Sequence, residues 1–258
     1  MVFETYEVLN KAWKTTGKLV FGEEIGELNE YEKYLKEGLV GKSVTSCFSG
    51  EKVRVVSEQY NENAKFFDYE KEGIRFAELS TPFDINKIKD IDSLLGEIKE
   101  RLIYSGNKVL GNSKNVADSD AVVDSNNILS SSIMMRSKYV AYAILMQDSE
   151  YVFGSTSSGQ SSHIIRCFNN NSLRRCFECC TCVKSADCYF SYNLMNCGDC
   201  MFSFNLRAKQ HSIANVQLEK EKYLELKKKL IGEIASGLKQ KKRFEFSIID
   251  VMNGWENE

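Results

Sequence analysis

Five of the nine cysteines in the 258-residue chain fall within RRCFECCTCVKSADC, residues 174–188. Cys176, Cys179 and Cys182 are spaced as overlapping Cys-x-x-Cys pairs, and Cys188 follows. Four thiolates in that pattern are the donor set of a tetrahedral zinc, and the same pairs could carry thiol redox chemistry. Other chemistry-bearing residues are sparse. His163 and His211 are the only histidines, and the basic run KQKKR supplies Lys239, Lys241, Lys242 and Arg243 as phosphate contacts for an RNA or ribosome partner. Lysines at the end of a helix also answer its dipole, so that run has a structural reading as well. No nucleotide-binding loop, nucleophile motif or histidine–carboxylate cluster is present. The chain is therefore not expected to be an enzyme, and no cofactor is expected beyond the zinc that the cysteines could take.

A 43% hydrophobic composition supports a real core, and a formal charge of −2 gives no overall field that would gather nucleic acid. The N-terminal stretch MVFETYEVLNKAWKTTG does not read as a secretion signal, and the longest apolar run, YVAYAILM at 139–146, is too short to span a bilayer. The expectation is a cytoplasmic protein with no membrane partner, whose cysteines stay reduced. Pro82 is the one proline, so nothing after it interrupts a backbone ladder.

The chain repeats itself. CYFSYNL at 188–194 returns as CMFSFNL twelve residues later. Stepping upstream by twelve from Ser185 gives Leu173 and then Ser161, Ser149, Ser137, Ser125 and Ser113, and three residues after each of these five serines stand Ile164, Val152, Val140, Ile128 and Val116. Every third residue is small or apolar, a period that fits neither an alternating strand nor a long amphipathic helix. It fits a β-solenoid, a parallel β-helix of about twelve residues per coil, with coils stacked roughly 4.8 Å apart. An eighteen-residue coil is disfavoured because the two outward columns differ: Ala117, Leu129, Ala141, Phe153, Ile165, Phe177, Tyr189, Met201 and Ile213 are all apolar, whereas the column six residues further on is mixed.

Residues 1–108 read as an N-terminal α/β cap, 109–218 as the solenoid and 219–258 as a C-terminal helix and tail. In the cap, Ile25, Leu28, Tyr31 and Leu35 share one helical face, residues 42–57 read as a hairpin turning near Ser49 and Gly50, and Ile85, Ile88, Ile91, Leu95, Ile98 and Leu102 mark a further helix. The open ends of a solenoid need covering, and the two flanking regions are placed to do it.

In this frame the cysteines change meaning. Cys167, Cys176, Cys179, Cys182, Cys188, Cys197 and Cys200 all occupy the inward register, and Cys180 is the exception. A triplet period produces Cys-x-x-Cys wherever the lumen is filled by a small, somewhat apolar residue, so core packing is favoured over zinc.

The motifs SCFSGEKVRVVSEQY and AKFFDYE, the Ser-x-x-Val and Cys-x-x-Cys ladder, and FNLRAKQHSIANVQLEKEKYLELKK resemble those of a family of uncharacterised proteins of archaea and small-genome bacteria with Ser/Cys-patterned solenoid repeats. The resemblance covers about residues 43–230 and implies the solenoid fold but no activity. Relatives often carry an extra cysteine-paired zinc module near the N-terminus; here Cys47 alone precedes the rod.

Function is read from the outward apolar column. Phe153, Ile165, Phe177, Tyr189 and Met201 form a strip, flanked by Ile144, Phe168, Tyr192 and Phe204, that should meet another protein or a second copy in a homodimer, or else the chain's own C-terminal helix. The expectation is a non-catalytic binding or self-assembly protein. The alternatives are a zinc or thiol protein centred on 176–188 and an RNA or ribosome-associated factor using the basic helix.

Overall fold

The computed structural model describes residues 2–156, 158–159, 162–166, 170–171, 174–246 and 248. Ser161, Cys167 and Phe168 lie outside them. Residues 109–217 form the β-solenoid. On one face, nine parallel strands follow one another at twelve-residue intervals, from Lys114–Ala117 to Gln210–Ile213, and Val216–Gln217 turns back antiparallel on the last. On the other face, Val109–Leu110, Asp120–Val123, Ser132–Met135, Ile144–Gln147, Ser158–Gly159 and Asn170–Asn171 form a second parallel sheet. Bridges from Cys180 to Tyr192 to Phe204 and from Val183 to Met195 to Arg207 continue that face. Register is like on like: Val140 lies opposite Ile128 on one side and Val152 on the other.

The triplet period has a backbone cause. From Asn115 to Ala214, described non-glycine residues recur every third position in the left-handed region, with φ between 40° and 63°. Each left-handed residue turns the chain before strand alternation can complete, so one side chain in three points inward. Such residues cost about 1 kcal/mol each outside glycine, less at the many Asn and Asp positions. Inter-coil hydrogen bonds offset this cost, as from the Tyr142 N–H to the Leu129 carbonyl (3.0 Å) and from the Arg166 N–H to the Phe153 carbonyl (2.9 Å).

A helix over Val2–Phe21, which the sequence reading did not identify, runs along the rod. Thr5, Leu9, Ala12, Trp13, Thr16 and Val20 are buried on one helical face, with Asn10, Gly17 and Phe21 buried along its edge. Glu4 in the first turn and Lys18 in the last complement the dipole, and Gly22, at φ 81°, ends the helix. Twenty residues span about 30 Å. The helix touches each strand of the broad sheet from Lys114–Ala117 to Arg174–Phe177. The C-terminal helix, Lys220–Lys241, buries Tyr223, Ile234, Ala235 and Leu238 in the same core.

Between these helices the chain makes a short turn of helix, Leu28–Tyr31 and Glu32–Leu35, over the residues expected to be helical. Gly154 lets this segment approach the rod, since a Cβ there would stand 2.8 Å from the Leu35 side chain at a φ of 76°. The expected hairpin is present as Lys42–Thr45 against Lys52–Val55, and Lys65–Asp68 pairs in parallel with Ile103–Gly106. Val53, Val55 and Phe66 form its small core. Among the described residues no helix is long and apolar enough to cross a membrane.

Candidate functional site

The lumen is built from serines and cysteines in equivalent roles. The Ser131 hydroxyl donates to the Leu129 carbonyl (2.8 Å) and accepts the Ala143 N–H one coil on (3.1 Å). Ser119, Ser125 and Ser137 repeat both contacts. The thiols follow the same rule towards the carbonyl two residues back: Cys182 to Cys180 (3.5 Å), Cys188 to Ala186 (3.3 Å), Cys197 to Met195 (3.4 Å) and Cys200 to Gly198 (3.4 Å). Cys179 lies near the Phe177 carbonyl at 3.7 Å. Cys176, Cys179, Cys182 and Cys188, the residues read as a zinc set, are fully buried thiols along the rod's inner columns.

Two of the four thiols resist ionisation. A hydrogen bond with Cys179, and then burial, push the Cys182 thiol up; a hydrogen bond with Cys200, and then burial, do the same to Cys188. Cys200, on the other side of that shared proton, is lowered to about 7. Thiolates are the metal-binding form, and in the metal-free chain the surroundings of Cys182 and Cys188 oppose that form. Among the described residues no three of His, Cys, Asp and Glu stand where they could hold a metal ion. His211 packs on the Tyr223 ring (5.4 Å between centroids), and the His163 side chain lies outside the described set.

The apolar strip is the main correction. Phe153, Ile165, Phe177, Tyr189 and Met201 are buried within the chain, so they are not an exposed interface. The N-terminal helix covers most of the strip. Trp13 meets Phe153 edge to face (5.3 Å), Phe21 meets Phe177 likewise (5.2 Å), and the Tyr189 hydroxyl donates to the Val20 carbonyl (3.2 Å). The C-terminal helix, the other cover anticipated from sequence, completes it through Tyr223, Ile234 and Leu238. A helical pitch of about 5.4 Å is close to a strand spacing of about 4.8 Å, so helix side chains meet successive rungs almost turn for turn.

The basic residues considered for RNA each have a carboxylate partner: Lys239 with Glu23 (2.5 Å), Lys241 with Glu245 (2.7 Å), Lys242 with Glu30 (2.9 Å) and Arg243 with Glu37 (4.0 Å). Three of these four pairs tie the end of the C-terminal helix to residues 23–37 and so act as clasps between the two covering elements.

A hollow of about 470 Å³ lies beside Phe190, Tyr192, Phe202, Phe204 and Ile248. Ser203 and Asn205 complete the described lining, in which no carboxylate, imidazole or thiol stands beside the Ser203 or Tyr192 hydroxyl.

The surface that stands out is in the cap. From Tyr69 to Ser105 no described residue is buried, yet Ile74 is 88% exposed, Ile85 77%, Ile91 74%, Leu102 67% and Leu95 55%. The helix here, Ile91–Arg101, is well formed at its start: Asp90 accepts the Ser93 N–H, and Ser93 accepts the Asp90 N–H, in a capping box. Arg101 binds the Thr81 carbonyl and lies over the Phe83 ring (4.3 Å), holding the preceding loop to the helix. The apolar spacing of this helix is legible in sequence; what the spacing does not carry is that, among the described residues, none buries Ile91 or Leu95. Comparison with known protein families, curated proteins and solved structures returns no match for this chain.

Proposed function

We propose that this chain is a non-catalytic binding and assembly protein, in which the solenoid with its two covering helices is a rigid support and the cap segment 69–105 is the working surface. The observation that carries this reading is the apolar helix Ile91–Arg101, capped and regular but exposed at Ile91 and Leu95. Ordering a residue costs about 1–2 kcal/mol of backbone entropy, and a segment without buried side chains has little of its own to offset it. Large exposed apolar faces on folded proteins mark places where another surface docks. The paired basic residues and protonated luminal thiols give less support to the RNA and zinc readings.

The test is a photo-cross-linking residue placed at Leu95 in the full chain within its native cells, with the same probe at Lys138 on the rod as control. A discrete protein adduct at position 95 and none at 138 is expected. Absence of any discrete adduct at 95 contradicts the reading.

A further inference from the structure

We infer that the partner of this helix is a second copy of the chain, paired antiparallel about a twofold axis; this rests on the reading of segment 69–105 as a docking surface. Within the helix Ile91, Leu95 and Ile98 are separated by four and three residues, and Ile88 and Leu102 continue that spacing just outside its two ends, on non-helical backbone. That is the a/d seam of a heptad, which is narrower than the face a helix presents to a globular core and is the seam that helices present to one another. With Leu95 and Ile98 taken as the layers beside the axis, Ile91 of one copy lies towards Leu102 of the other, the residue just past the helix end, and the layers are matched by the same sequence running the opposite way. A twofold contact of this kind closes on itself.

The flanking charges choose the orientation. Asp92 and Lys99 are both exposed and both occupy the e position of the heptad. In an antiparallel pair e faces e, so Asp92 of one copy meets Lys99 of the other, twice by symmetry. In a parallel pair Lys99 would face the apolar Leu94, and Asp92 alone would find an opposite charge, on Lys87 in the turn before the helix, whereas the antiparallel pair satisfies both e residues. The helix alone, about 16 Å long, is a short seam. Ile74, Phe76 and Ile85 of the same segment are exposed as well and add apolar surface around it.

The experiment is light scattering and sedimentation equilibrium on the full chain and three variants, with circular dichroism as a check on folding. Wild type is expected at twice the 29.4 kDa chain mass in the micromolar range. Lys99→Asp and Asp92→Lys each place like charges across the axis and should weaken the dimer by roughly tenfold or more. The double variant Asp92→Lys/Lys99→Asp restores opposite charges and should return to within a few-fold of wild type. A wild type that stays monomeric to about 100 µM, or a double variant no better than the single ones, overturns the inference. If that monomer cross-links at position 95 to a different protein, the second-copy inference fails while the binding reading stands; if it cross-links to nothing, both fail.

Discussion

Ser131 shows what one luminal position does. Its hydroxyl closes the corner of its own coil and accepts an amide from the next, so a single side chain ties two rungs together. Ser131→Ala removes both contacts and leaves the Ala143 amide buried without that acceptor, at a cost of about 1–3 kcal/mol. Ser131→Cys, which places there the residue that the later coils use, should cost measurably less. Urea midpoints of the two variants against wild type read the difference, and equal losses would mean that the hydroxyl is filling space rather than bonding. The inward register was legible in the sequence because Val116, Ile128, Val140 and Val152 repeat the same demand at the same place in each coil. The left-handed corners were not. Asn115, Asp118 and Asp124 suit that backbone, but Ile133, Tyr139 and Leu145 occupy it too, held by tertiary hydrogen bonding against their local preference.

A buried polar cluster ties the segment between the two covering helices, and the chain at Ile248, to the rod. Arg166 and Glu178 occupy equivalent corners of neighbouring coils where other coils place Tyr142, Phe190 and Phe202. Arg166 binds the Tyr34 carbonyl (2.7 Å) and Glu37 (2.5 Å) and stands 3.3 Å from Glu178, which in turn accepts the Tyr34 hydroxyl (2.6 Å) and the Ile248 N–H (3.0 Å). Burial pushes the Glu178 carboxyl up, against the pull of Arg166 and then Tyr34. A carboxyl with a raised folded-state value holds its proton more tightly in the fold. Its contribution to stability is therefore full below the unfolded glutamate value, about 4.3, and is lost as the pH rises through the raised value. The stability advantage of wild type over Glu178→Gln should accordingly shrink as the pH rises from about 4 through the raised value, on top of a constant cost of leaving Arg166 with Glu37. Chemical denaturation across that range checks it, and an advantage that grows with pH would mean that the ion pair outweighs burial. At this scale the C-terminal helix was legible from its apolar and charge pattern. The N-terminal helix was not recognised because Thr5 and Thr16 interrupt its buried face and Lys11, Lys14 and Lys18 run alongside, although Leu9, Trp13 and Val20 mark one side.

For the whole molecule, the sequence showed that apolar faces exist but not which of them the chain covers itself. The strip from Ala117 to Met201 and the seam from Ile88 to Leu102 are both regular and apolar, and nothing local separates a stripe under a helix from a stripe left open. The structure separates them: Phe177 is fully buried against Phe21, while Leu95 is 55% exposed. The most direct measurement of this division is thermal unfolding by circular dichroism of Phe177→Glu and Leu95→Glu, side by side in dilute solution. A charge at position 177 enters a closed aromatic contact, should cost several kcal/mol and should leave the chain unfolded or aggregated. A charge at position 95 meets water and should leave the monomer's melt within a few degrees of wild type, changing association alone. A Phe177→Glu chain that melts like wild type together with a Leu95→Glu chain that does not fold would contradict the account.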